Sequence, residues 1–187
     1  MKRIALSIAL AFLATFITPL ASLGESSFVL SEVGDNSLKD VARCVESKDQ
    51  LNVLYLIDAS KSLKNSDPEA QRAQILSQSI AGLVAIAQFK EVRYSLTTFG
   101  DRFVTARQWR EINEESANAA QSWVEKNIPN LNNEGGTDWL KGLQNAKSKL
   151  DESPNAKNSC KLIIWITDGG IDLDSQARDT QALQTIC

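Results

Sequence analysis

Two stretches of this chain are apolar almost without interruption, and the remaining pattern is arranged around them. Residues 51–57 (Leu-Asn-Val-Leu-Tyr-Leu-Ile) and 162–166 (Leu-Ile-Ile-Trp-Ile) are short, rich in strand-forming side chains and bounded by polar residues. A strand covered on both faces, as in a parallel sheet, reads this way. Residues 92–99 alternate well enough to predict another strand, ending at Gly100, and residues 103–105 predict a short further one. Between these runs the period changes to that of helices. Asp67-Pro68-Glu69 offers an N-cap, a first-turn proline and an acidic residue for the positive helix end, and Leu76, Ile80, Leu83, Val84 and Ala87 then share one face. Residues 116–126 predict a second helix with Ala117, Ala120, Trp123 and Val124 on one side, closed off by Pro129. Residues 130–136 read as a loop, after which Thr137 or Asp138 caps a third helix with Leu140, Leu143 and Leu150 facing inward. Ser153-Pro154-Asn155 is a turn, and residues from Ser175 onward again look helical. Residues 25–43 carry no strong period and read as a lead, with residues 28–30 as a candidate satellite strand.

Strands alternating with helices predict an α/β domain: a Rossmann-like, doubly wound, mostly parallel sheet with helices on both faces. Right-handed crossovers then line the carboxyl ends of the strands along one edge.

The extreme N-terminus follows another logic. Lys2 and Arg3 precede an apolar run over residues 4–20, and Ala21, Ser22 and Gly24 are small. This is the layout of a secretory signal peptide cut after Gly24. An uncleaved anchor is the alternative, but the run is at the short end for crossing a bilayer. The expected organisation is therefore a signal peptide over residues 1–24, a lead over 25–50 and one folded domain over 51–187. Removing the first 24 residues takes away two of the 20 basic residues and none of the 23 acidic ones, so the net charge moves from −3 to −5. No basic stripe remains for nucleic acid, and no basic amphipathic helix for a lipid surface.

The chain has no histidine and three cysteines, Cys44, Cys160 and Cys187. Without histidine, most zinc sites, the Ser-His-Asp triad and the Cys-His dyad are excluded. Export favours a disulfide, but with three cysteines one thiol stays free or pairs elsewhere.

In such a sheet, ligands bind beyond the carboxyl ends of the strands. Three segments put oxygen-bearing side chains there. Asp58, Ser60 and Ser62 follow the first apolar run, Thr137 and Asp138 stand where a loop meets a helix, and Asp168 follows the last apolar run. Hydroxyls and carboxylates without nitrogen or sulfur suit Mg²⁺, with Mn²⁺ and Ca²⁺ as relatives. Taken singly, each segment has a plainer explanation. Asp58 and Ser60 can cap a turn, Asp168-Gly169-Gly170 can be a tight turn, and Thr137 can cap a helix after a flexible Gly135-Gly136. Their shared placement at one sheet edge is what favours a site. Asp172 and Asp174 read as a solvated loop. Trp109, Trp123, Trp139 and Trp165 read as core or rim packing, with Trp139 nearest the expected binding face.

Asp58-Ala59-Ser60-Lys61-Ser62 resembles the Asp-x-Ser-x-Ser signature of the von Willebrand factor type A family. Thr137 in Gly-Gly-Thr-Asp and Asp168 in Ile-Thr-Asp-Gly match that family's two later elements in order and context. The resemblance covers residues 51–187 and implies a metal-ion-dependent adhesion site. Ser60 and Ser62 would then bind the ion directly, Thr137 directly or through water, and Asp58 and Asp168 largely through bound waters. It further implies a bacterial secreted or cell-surface protein that binds a partner through the partner's Asp or Glu, and that is not an enzyme. The family's fifth and sixth strands and last helix have no counterpart before Cys187, so the resemblance also implies an incomplete domain. Because the family's first and fourth strands are neighbours, it implies a Cys44–Cys160 bond, with Cys187 as a competing partner for Cys44.

Two other functions are weaker. An intracellular assembly module, as in chelatase subunits, conflicts with the signal peptide. A hydrolase built on Asp58 and Asp168 lacks the second acid two residues on, where Ser60 stands, and no phosphate-binding Gly-x-x-x-x-Gly-Lys loop exists.

Overall fold

A computed structural model of the chain describes residues 32–132 and 134–168. The elements run in the order α1 (Glu32–Ser47), β1 (Gln50–Asp58), α2 (Leu63–Ser66), α3 (Gln71–Ala87), β2 (Glu91–Phe99), β3 (Phe103–Glu111), α4 (Glu114–Asn127), a 3-10 turn (Ile128–Asn130), α5 (Trp139–Asp151) and β4 (Ser159–Ile166). They form a four-stranded sheet in the order β3-β2-β1-β4, with β1 parallel to both neighbours and β3 antiparallel to β2. The expected α/β class and mostly parallel sheet are therefore present.

The strand β1 is buried along its whole length. Its alternate residues serve two cores. Leu51, Val53, Tyr55 and Ile57 pack with Leu76, Ile80 and Leu83 of α3 and Ala117, Ala120 and Val124 of α4. Leu54 and Leu56 pack on the other face with Phe99 and with Leu143, Ala146 and Leu150 of α5. This two-sided burial is why the sequence of β1 shows a continuous apolar run instead of alternation. Trp109, Trp139 and Trp165 join the second core as partly buried rings, Trp139 meeting Trp165 edge-on at 4.6 Å, while Trp123 packs on the first.

Three expectations need correction. The segment read as a lead contains α1, from which, among the described side chains, Cys44 and Val45 pack against the first core. The helix expected to start at Pro68 starts at Gln71, because Ala70 takes a left-handed conformation (φ 52°) and breaks the run. Asp67 still serves its first turn from outside, its carboxylate accepting from the Gln71 N–H at 2.6 Å. The short strand over residues 103–105 continues to Glu111 as an edge strand carrying Arg107, Arg110 and Glu111, and it runs against the others. Charged side chains are normal on an exposed edge and hid its continuation. Residues 28–30, the signal peptide, Asp172, Asp174, Cys187 and the helix expected from Ser175 lie outside the described residues.

The amino end of β1 is tied down by polar contacts. Asn52, with no exposed surface, lies 2.7–2.9 Å from the Ser153 hydroxyl, the Pro154 carbonyl and the Ser159 hydroxyl, and its own carbonyl accepts from Gln50. The turn between α5 and β4 is thus fixed against β1. Cys44 and Cys160 form a disulfide across a sequence separation of 116, with Cα atoms 5.6 Å apart. It joins α1 to the start of β4, as the resemblance implied. The Lys90 ammonium donates to the Val45 and Glu46 carbonyls in the last turn of α1 and, at 2.6 Å, to that of Lys48 just beyond it.

Two outcomes follow from these ties. Reducing the disulfide, or replacing both cysteines by serine, is expected to lower unfolding free energy by about 4–5 kcal/mol on the chain-entropy account, read as the shift of a urea transition with and without reductant. Asn52→Ala leaves two buried hydroxyls and a carbonyl short of a donor and is expected to cost about 1–3 kcal/mol, measured in the same way under oxidising conditions.

Candidate functional site

The chain runs outward from β1 to β2 and β3 on one side and returns to β4 on the other. The carboxyl ends of β1 and β4 therefore flank a topological switch point, where a crevice forms in open α/β sheets. Asp58 ends β1, and Asp168 stands two residues beyond β4.

Asp58 is fully buried. One carboxylate oxygen accepts the Ser60 N–H at 2.8 Å, and the other accepts the Thr167 hydroxyl at 2.7 Å. The second contact crosses the switch point. No salt bridge reaches Asp58 among the described residues. Ser60 is 2% exposed, and its hydroxyl lies 2.9 Å from that of Ser62. Ser62 directly precedes the short helix α2. One turn on, the Ser66 hydroxyl donates to Asp168 at 2.6 Å, so this helix joins the Asp58 loop to the Asp168 loop.

Thr137 arrives from a third direction and is 6% exposed. Its loop is held to the Asp58 loop by a short parallel bridge between Ser60 and Glu134. The Glu134 N–H donates to the Ala59 carbonyl at 3.1 Å and the Lys61 N–H to the Glu134 carbonyl at 3.0 Å. Asp138 caps α5, its carboxylate accepting the Lys141 N–H at 2.9 Å. Of the two candidates for that cap, Asp138 takes the role. Arg102 leans over this loop and pairs with Glu134, which raises the guanidinium above its ordinary pKa through the hydrogen bond and the charge.

The structure thus links Asp58, Ser60 and Ser62 directly, brings in Asp168 through Ser66, and anchors the Thr137 loop through Glu134. Thr167, Ser66 and Glu134 were not read as site residues from the sequence. Thr167 alone carried a signal, since it stands between the last apolar run and Asp168.

The donor set suits a hard divalent cation. Among the described residues no group of three acidic, histidine or cysteine side chains gathers. What gathers is hydroxyls with one buried carboxylate, all oxygen, as Mg²⁺ chemistry prefers. A buried carboxylate lacking a basic partner is also what a neighbouring cation would balance.

Known proteins agree with the fold. The chain is similar to the N-terminal domains of the type V pili tip protein of Porphyromonas gingivalis, at 18% identity and a TM-score of 0.51, over 66% of this chain and 20% of that one. It is similar to proximal thread matrix protein 1 from the mussel byssus, also at 18% and 0.51, over 75% of this chain and 34% of that one. The chain therefore spans about a fifth to a third of the length of these two proteins, and at that identity the likeness concerns the fold alone. No curated protein matches the sequence. The family model described as the von Willebrand factor type A domain matches residues 53–170, well over half of the chain. Most of the buried apolar strand ending in Asp58, the serines after it and the loops that meet them fall within that match, and the chain belongs to the von Willebrand factor type A domain family.

Proposed function

We propose that this domain recognises a partner protein through a divalent cation, Mg²⁺ or its relatives Mn²⁺ and Ca²⁺, held by Asp58, Ser60, Ser62, Thr137 and Asp168. The observation that carries this reading is the Asp58 carboxylate, fully buried at the switch point with two hydrogen bonds and no salt bridge among the described residues. When bound, the cation would supply an electrophilic position that an Asp or Glu of the partner can fill.

The chain's own residues have separate tasks. Thr167 and the Ser60 N–H hold Asp58 in one orientation. The Ser60 and Ser62 hydroxyls, 2.9 Å apart, present neutral oxygens. Ser66 holds Asp168. Neutral hydroxyls close in, with carboxylates acting mainly through water, leave the positive charge available to a carboxylate from outside. The absence of histidine supports recognition over turnover.

The setting we infer is the cell surface or the secreted fraction. The Cys44–Cys160 disulfide supports an oxidising compartment. No helix among the described residues is long and apolar enough to cross a membrane. That two proteins of this fold are a pili tip protein and a byssal thread matrix protein supports a role in assembly or attachment.

Calorimetric titration of the folded chain with Mg²⁺ and Mn²⁺ is expected to show one site. Asp58→Asn and the double variant Ser60→Ala, Ser62→Ala are expected to lose it while keeping the circular dichroism of the parent. Cation at a hundredfold excess over its Kd would stabilise the parent by about 2.7 kcal/mol. On an array of peptides differing only in the presence of Asp or Glu, retention should need the acid and vanish with chelator. A folded sample that takes up neither metal would refute the reading.

A further inference from the structure

The loop that carries Thr137 is held from two sides. Its backbone at Glu134 is bonded to Ala59 and Lys61, beside Ser60. Its other side meets the tight turn between β2 and β3, residues Gly100, Asp101 and Arg102. The Arg102 guanidinium donates to both Glu134 carboxylate oxygens, at 2.5 and 3.2 Å. The Gly135 N–H donates to the Asp101 carboxylate at 2.8 Å, and the Asp138 N–H makes a longer contact of 3.4 Å with the Gly100 carbonyl. Lys141, in the first turn of α5, donates to the Asp101 carbonyl at 3.0 Å. Gly100 is required by the closeness of this fit. A Cβ there would collide with the Glu134 Cβ and lie 2.9 Å from its Cγ.

We propose that the Gly100-Asp101-Arg102 turn is a clasp that sets the cation affinity of the site by holding Glu134, and with it Thr137, against the Ser60 loop. The inference rests on the cation reading above, and Asp101, Arg102 and Glu134 are positioning residues in it. The segment between the anchor at Glu134 and the cap at Asp138 contains Gly135 and Gly136, whose backbones have wide freedom. Released from the turn, this segment samples arrangements in which Thr137 is displaced, and the apparent affinity falls by the fraction of molecules still arranged to bind.

Nothing global needs to change. The Arg102 side chain is 74% exposed and Glu134 19%, and an ion pair whose guanidinium stands in solvent contributes little to overall stability. Its effect is confined to the loop it restrains. Exposure also makes the clasp sensitive to ionic strength, since salt screens such a pair. The bidentate geometry requires the planar fork of arginine, so lysine is a partial substitute.

The test uses the full chain and Mn²⁺ as the probe. Kd is measured by calorimetry, with melting temperature and amide exchange at Gly135 and Asp138 followed in the cation-free protein. Arg102→Ala and Arg102→Glu are expected to weaken Mn²⁺ binding about tenfold in low salt and to speed exchange at the two amides. Their melting temperature should stay near that of the parent. The charge-swapped double variant Arg102→Glu, Glu134→Arg is expected to recover most of the affinity. Gly100→Ala, which pushes Glu134 away without touching a charge, should weaken binding in the same sense. Raising salt should narrow the gap between parent and Arg102→Ala. Parent-like affinity in Arg102→Ala, or a loss that tracks the melting temperature and is not recovered by the swap, would overturn the clasp and leave the cation site standing. No Mn²⁺ uptake by the parent would remove both.

Discussion

Asp58 leaves the central strand directed into the domain, and a carboxylate so placed needs donors, a counter-charge or both. The surrounding chain is arranged around that need. Thr167, reaching over from the strand beside it, and the Ser60 amide supply the donors. Because Thr167 follows β4 and Ser60 follows β1, satisfying one carboxylate fixes the relative position of two loops. Ser66 and Glu134 then extend the connection to Asp168 and to the Thr137 loop. The edge of the sheet is in this sense assembled outward from one buried anion.

The opposite end of β1 makes that possible. Gln50 and Asn52 are buried polar residues, and their side chains are occupied by the turn before β4. Between these polar ends lies the apolar stretch that two helical layers cover. The strand is therefore pinned at its amino end, enclosed along its middle and left to present chemistry only at its carboxyl end. A register slip of one residue would exchange the two apolar sets, expel Asn52 from its acceptors and turn Asp58 away from Thr167.

The parts legible in the sequence were those where one physical demand dominated. Strands covered on both faces need unbroken apolar runs, and residues 51–57 and 162–166 have them. The three oxygen-bearing segments could be placed at one edge because each adjoins a strand end or a helix start. The disulfide was reached only through the resemblance, since three cysteines permit several pairings. What escaped notice depended on partners distant in sequence. The edge strand β3 carries arginines that an edge position accommodates, Arg110 in solvent and Arg107 against the Ala119 carbonyl of α4. The helix α1 does carry a helical period, with Leu38, Val41, Cys44 and Val45 at three- and four-residue spacings, but its many polar residues let it pass for an unstructured lead. The start of α3 turned on the left-handed backbone at Ala70, which no composition rule demands. Ser66 and Glu134 look like ordinary surface residues until the loops they join are seen together.

The Cys44–Cys160 bond has a mechanical consequence. Tension applied between the chain before Cys44 and the chain beyond Cys160 has a covalent path through two sulfur atoms that does not follow the backbone of the intervening loop. Asp58, Ser60, Ser62 and Thr137 lie inside that bypassed loop, whereas Asp168 lies on the strained path, eight residues past Cys160. A pull strong enough to drag β4 would act directly on Thr167 and Asp168 and would reach Asp58 and Ser66 only through the hydrogen bonds that join them. The covalent tie thus makes two side-chain contacts, Thr167 with Asp58 and Ser66 with Asp168, the points at which force along the backbone would pass into the loops after β1.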